Sequence, residues 1–214
     1  MSRSQWKGAG ALALGYVVLT LVAVSIGAKV PQLGASVADV TTDFTTHSQS
    51  SVLLAAYVGG LAVLAFLGLA AFLASVLRGW AGALVLATGG LYAVLFGLDP
   101  AMLAALAYAG HHGAEPAGLV LVDTIRNVVL IASYLALGAF MLSVAAAAWI
   151  ASVLPRWLCY SGVVVGLVLL IPLVSAPAYL LSLVWMVAAG LTMLARRRES
   201  RTISAEPQVA YPLS

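Results

Sequence analysis

The sequence predicts an all-α fold, a polytopic membrane bundle of six transmembrane helices with a short outer interfacial helix. Three observations predict it. Hydrophobic residues make up 63% of the chain and charged residues only 8%, with a mean hydropathy of +1.08, a balance that belongs to membrane proteins. The apolar residues fall into long runs, most able as helices to cross a hydrocarbon core about 30 Å thick. The basic residues collect at the ends of those runs rather than in a patch, which argues against a nucleic-acid partner and for membrane anchoring.

Residues 1–7 form a short basic N-terminus, and residues 8–28 the first span. A cleaved signal peptide competes for this run, with small residues at Ser25 and Gly27. Signal cores are ordinarily about 7–15 residues, so a retained helix is expected. Residues 29–50 read as a polar loop rich in Thr and Ser, holding Asp39, Asp43 and His47. The second span, 51–77, is longer than a bilayer requires and is expected to tilt or project. Arg78-Gly79-Trp80 reads as a tight turn with an interfacial Trp.

The third span covers 80–98. Asp99-Pro100 then reads as an N-cap followed by proline at a first helical position. Residues 101–109 are apolar but too few to span, so they are expected to be the interfacial helix, stopped by Gly110. Residues 111–116 form a loop, and the fourth span runs over 119–151. Leu154-Pro155 breaks the chain. The fifth span, 157–174, contains Gly162-x-x-x-Gly166, a close-packing motif, and ends near Pro172. The sixth covers 178–195, closing a transmembrane domain of residues 8–196. Residues 197–214 are polar with two prolines and are expected to be a disordered cytoplasmic tail.

Six spans put both termini on one side. That side carries Arg3, Lys7, Arg78, Arg156, Arg196, Arg197, Arg198 and Arg201, against only Lys29 and Arg126 on the other. This asymmetry predicts a multi-pass protein of the cell (inner or plasma) membrane with both termini cytoplasmic.

The fourth span carries the candidate polar cluster, Asp123, Arg126, Asn127 and Tyr134. Counting about 20 residues back from Trp149 puts the far core edge near Val129, so Asp123 and Arg126 fall at the rim. At a spacing of three, Asp123 and Arg126 are neighbours on one helical surface, with Asn127 and Tyr134 continuing the stripe inward. The favoured reading is a structural ion pair, with Asn127 and Tyr134 bonding to adjacent helices. The competing one is a ligand or proton site open to the outside.

All three histidines, His47, His111 and His112, fall on the outer side with Glu115 and most other acidic residues. Imidazole and carboxylate suit zinc, but the spacing matches no known motif, so no metal or other cofactor is expected. The lone Cys159 excludes an internal disulfide and a Cys-x-x-Cys redox mechanism and reads as a small core residue. No H-E-x-x-H, P-loop or G-x-S-x-G occurs, and no lysine lies deep in a span. Ser133 and Ser143 are expected to bond to backbone carbonyls.

The order of features resembles an uncharacterised bacterial family of six-span integral membrane proteins, a domain of unknown function. The matching residues are Gly138, Ser152, Leu154-Pro155-Arg156, Leu158, Gly162, Trp185 and Gly190. The resemblance spans most of residues 8–196 and implies the fold but no activity. The functional expectation is therefore a non-enzymatic bundle that binds lipid or a small ligand, or an accessory subunit with a membrane-protein partner or a second copy. The alternatives are an ion-coupled transporter using Asp123 and Arg126, and an outward-facing metal-dependent enzyme.

Overall fold

The computed structural model describes residues 3–27, 36–46 and 49–195, all but a few short connections of them helical. The helices are α1 (Arg3–Ile26), α2 (Val37–Thr46), α3 (Gln49–Leu77), α4 (Gly79–His111), α5 (Pro116–Ile150), α6 (Arg156–Leu169) and α7 (Ser175–Ala195), with a 3-10 turn at Pro172–Val174. Five of them, α1, α3, α4, α5 and α7, are long and apolar enough to cross a membrane. His47 and the arginines at 196, 197, 198 and 201, with the tail that follows, lie outside the described residues.

The helices close into a ring in which α1 packs on α3, α3 on α4, α4 on α5, α5 on α6, α6 on α7 and α7 on α1. Phe66, Tyr92, Phe140 and Tyr16 fill its centre, each fully buried. The lipid-type side chains point the other way: Val18, Leu64, Leu91, Val128 and Val184 are exposed on the outside of the ring. A bundle apolar on both its inner and outer faces is what a hydrocarbon solvent permits and water does not.

One end of the bundle gathers the start of α1, the α3–α4 turn, the α5–α6 turn and the end of α7. Trp6 ties them together: it packs edge-on against Phe72 at 5.3 Å and borders a shallow depression with Ser152, Pro155 and Ala195. This end is called the base, and the opposite one the crown. The base turn is tight as the sequence predicts, with Arg78 and Gly79 both at positive φ (50° and 57°) and Trp80 exposed.

Base packing is close. A Cβ on Gly10 of α1 would stand 2.7 Å from the Gly190 carbonyl oxygen of α7, so the two backbones touch. Gly162 and Gly166 serve different neighbours: the first faces the Trp185 ring of α7, the second the Gly138 backbone of α5. Trp185 Nε1 donates to the Leu158 carbonyl at 2.9 Å and pins α6 to α7. Ser133 and Ser143 donate to the Leu130 and Ala139 carbonyls, and Cys159 is a buried core residue, as expected.

The structure differs from expectation in three elements. No separate helix covers residues 101–109; α4 continues through Pro100 for 33 residues, about 50 Å. Proline removes one helical hydrogen bond, but Pro100 is buried against Gly59, where a Cβ would already stand 3.4 Å away. Leu103, Leu106 and Ala107 bury beyond it, so packing carries the helix past the break. Next, the expected polar loop contains α2, opened by a reciprocal cap in which Asp39 N–H donates to Ser36 Oγ and Ser36 N–H to Asp39 Oδ2. Its Val40 and Phe44 bury against Leu103, Leu106 and Leu119. Finally, α6 has only 14 residues, about 21 Å, and is short of a span on its own.

These lengths shape the crown. Helix α5 has 35 residues, about 52 Å, while α7 has 21, about 31 Å. The α4–α5 hairpin, covered by α2, therefore rises well above the α6–α7 apex.

Candidate functional site

The polar cluster of α5 acquires a partner that the sequence reading treated as a cap. Asp99, inside α4 rather than before it, accepts from Arg126 Nη1 at 2.9 Å. Arg126 Nε and Nη2 both reach Asp123 Oδ1, each at 3.0 Å. Asn127 Nδ2 donates to the Asp123 carbonyl at 2.9 Å and to Asp123 Oδ2 at 3.1 Å. So Asn127 bonds within its own helix, not to a neighbour, and its task is to complete the shell of Asp123. Asp123 and Arg126 form the expected ion pair and, buried by protein, make a triad with Asp99.

Continuity of α4 is what creates the triad. A helix ending at Leu98 would have turned Asp99 toward its own backbone. A helix running to His111 holds the carboxylate on the face that meets α5. Two carboxylates and one guanidinium leave the triad with one negative charge when all three are ionised.

Beside and beneath the triad lies a cavity of about 360 Å³. Arg126 and Asp99 stand in its wall, Gly27, Ala55 and Leu103 bound it toward the crown, and Tyr134, Tyr179 and Phe96 bound it toward the base. Arg126 and Tyr134 are two turns apart on α5, about 12 Å. Ala23, Ala55, Ala56, Leu103 and Leu130 supply apolar walls. Tyr134 does not bond to another helix as expected; its ring lies 5.1 Å from that of Tyr179.

Below the cavity, the Tyr16 hydroxyl bonds those of Tyr92 and Tyr179, so three helices share one buried hydroxyl network. Thr20, one turn beyond Tyr16, is 3% exposed and borders the cavity, and its hydroxyl lies beside those of Tyr16 and Tyr179 without a bond of full hydrogen-bond geometry to either. A threonine in a helix ordinarily donates to a carbonyl one turn back, and an orphaned buried hydroxyl is uncommon.

The cavity opens on one side. Helices α1 and α5 are not a packed pair, because α7 stands between them. Helix α7 begins only one turn above Tyr179, whereas α1 continues to Ile26 and α5 to Pro116. Val24 borders the cavity and is 64% exposed, which marks the opening over the top of α7.

The remaining candidates disperse. His111 and His112 lie at the crown tip of α4, three turns beyond Asp99, and their Nδ1 atoms contact the carbonyls of Ala107 and Tyr108. The His112 ring stacks on Tyr108 at 4.0 Å, and Glu115 is exposed at the start of α5. Among the described residues no three His, Cys, Asp or Glu side chains converge on a point that could hold a metal ion.

Sequence reasoning missed Asp99, Thr20, Tyr16, Tyr92 and Tyr179 as site residues. A signal existed for two: Tyr16 and Tyr92 fall well inside predicted spans, where a hydroxyl needs a partner. Comparison of the chain with protein-family models, curated proteins and solved structures returns no match.

Proposed function

We propose that this chain is a non-enzymatic, multi-pass integral membrane protein that holds a small amphiphilic ligand, a lipid or lipid-like molecule, in the cavity beneath the Asp99–Arg126–Asp123 triad. One observation carries the reading: an apolar, laterally open cavity holds buried charge in its wall and aromatic rings at its base end, with the Thr20 hydroxyl between them. Small-ligand sites combine mostly apolar walls with a few placed polar groups, in volumes of about 300–1,000 Å³. The lateral opening favours a ligand that arrives from the membrane rather than from water.

A cytoplasmic base belongs to the same reading. Lys7, Arg78 and Arg156 support it by standing at the base, against Arg126 at the crown. So does a sixth crossing in which α6, the residues after it and the 3-10 turn together reach the apex from which α7 returns.

Native mass spectrometry of the protein released from a mild neutral detergent tests the ligand. The wild type is expected to carry a bound small molecule or lipid that Ala56→Trp, which fills the cavity from α3, removes. Identical spectra for the two proteins, or a bare wild-type chain, would sink the reading.

The buried triad favours a second reading, an ion-coupled transporter, because ionisable groups inside a bundle line many ion pathways. In proteoliposomes with a pH-sensitive dye, Asp123→Asn should then abolish proton flux while the protein stays folded. Flux that is absent in the wild type or unchanged in the variant removes this reading.

A further inference from the structure

We infer that the occupant of the cavity is an organic cation, an amine with a short apolar tail, whose ammonium group sits against Asp99. The inference rests on the ligand-binding reading above and specifies its chemistry.

The charge balance comes first. Asp123 is saturated: Oδ1 receives Arg126 Nε and Nη2, and Oδ2 receives Asn127. Asp99 is not. Its Oδ1 takes Arg126 Nη1, its Oδ2 takes nothing among the described residues, and the side chain borders the cavity with 20% exposure. The one uncompensated negative charge of the triad therefore has its open face on the cavity. Among the described residues no lysine, histidine or second arginine borders the cavity to neutralise it. A charge buried without compensation is costly, and a cation at Asp99 removes that cost. A carboxylate or phosphate would meet Asp99 and find the Arg126 donors already turned to the two aspartates.

The base side of the cavity, which begins with Phe96 one turn below Asp99 on α4, fits the same ligand. The rings of Phe96, Tyr134 and Tyr179 bound the cavity, and aromatic faces attract cations. The Thr20 hydroxyl, buried beside those of Tyr16 and Tyr179, offers a lone pair to an ammonium N–H. The apolar tail has a route out past Val24, over the top of α7.

The test uses the full chain in neutral detergent, with hexylammonium, hexanol and hexanoate as probes of equal tail length. The readout is the saturable rise of the thermal unfolding midpoint. Hexylammonium should bind about tenfold or more tighter than hexanol, the scale of one charge-assisted hydrogen bond over a neutral one, and hexanoate least. Asp99→Asn should erase the preference for the amine while hexanol binds as before. Should that variant not fold, the order of the three probes on the wild type decides alone. Hexanol binding as well as the amine would overturn this inference and leave the ligand-binding reading standing. Amine binding that survives Ala56→Trp would place the cation elsewhere and also overturn it. No binding by any probe would overturn both.

Discussion

The base and the crown of this bundle are built from the same helices by opposite means. Toward the base, α1 meets α7 through Gly10 and Gly190, and midway up, still below the cavity, α5 meets α6 through Gly138 and Gly166, with backbones in contact. At the crown, α1 and α5 stand apart over the start of α7, and the cavity separates them. Within a bilayer, where apolar side chains gain nothing by leaving lipid for protein, close packing is a main attraction between helices. The base uses it fully. The crown gives it up for an ion triad, and buried ion pairs are seldom net stabilising. This contrast places stability in the base and, on the ligand-binding reading proposed above, assigns the crown's polar groups to binding.

The most severe test of that contrast is Arg126. Arg126→Leu leaves Asp99 and Asp123 buried with no cation, which should cost about 3–5 kcal/mol. The triple variant Asp99→Leu, Asp123→Leu, Arg126→Met removes every charge and should recover most or all of the loss, for apolar replacement of buried pairs is often neutral or better. Tryptophan-monitored thermal unfolding in detergent measures both. If the triple variant is as unstable as the single one, the ions hold the crown together and the contrast fails.

The base offers a smaller effect. A Cβ at Gly138 would stand 2.8 Å from the Gly166 carbonyl oxygen, and a backbone oxygen moves only if α6 moves. Gly138→Val should lower stability by about 1–3 kcal/mol through overpacking. Because α6 contributes no wall to the cavity, ligand binding should survive the substitution. Loss of binding at unchanged stability would mean that base and crown are not separable.

Most of the architecture was legible because lipid solvation writes it into the hydropathy pattern. Runs of apolar residues, base turns at Arg78 and Leu154-Pro155, and the pairing of Asp123 with Arg126 at a spacing of three all follow from local rules. What failed was decided by tertiary contact. Asp99-Pro100 is a sound helix start judged locally; only the burial of Pro100 on Gly59, with Leu103 and Leu106 beyond it, overrides the break. Misreading that one step hid the site, because a capping Asp99 needs no partner across the bundle, while one inside α4 requires Arg126. The α2 helix escaped for a related reason. Its residues are polar, and its two buried anchors, Val40 and Phe44, matter only because α4 extends far enough to receive them.

The finest distinction between the two ends concerns a single hydroxyl. Along α7, Ser182 just below the cavity donates to the Tyr179 carbonyl, and Thr192 at the base to that of Ala188. Thr20, at the cavity, has no such bond. Thr20→Val is nearly isosteric and removes a hydroxyl that makes no bond of full hydrogen-bond geometry, so the empty protein should be unchanged or up to about 1 kcal/mol more stable. Wherever the cavity is occupied, the same change should weaken binding, since the ligand loses an acceptor. Stability and affinity would then move in opposite directions from one methyl-for-hydroxyl exchange. Were Thr20→Val instead to destabilise the protein by 1 kcal/mol or more, as loss of a satisfied interior hydrogen bond does, Thr20 would belong to the packing of α1 and not to the cavity. The cation would then have to be held by Asp99 and the aromatic rings without it.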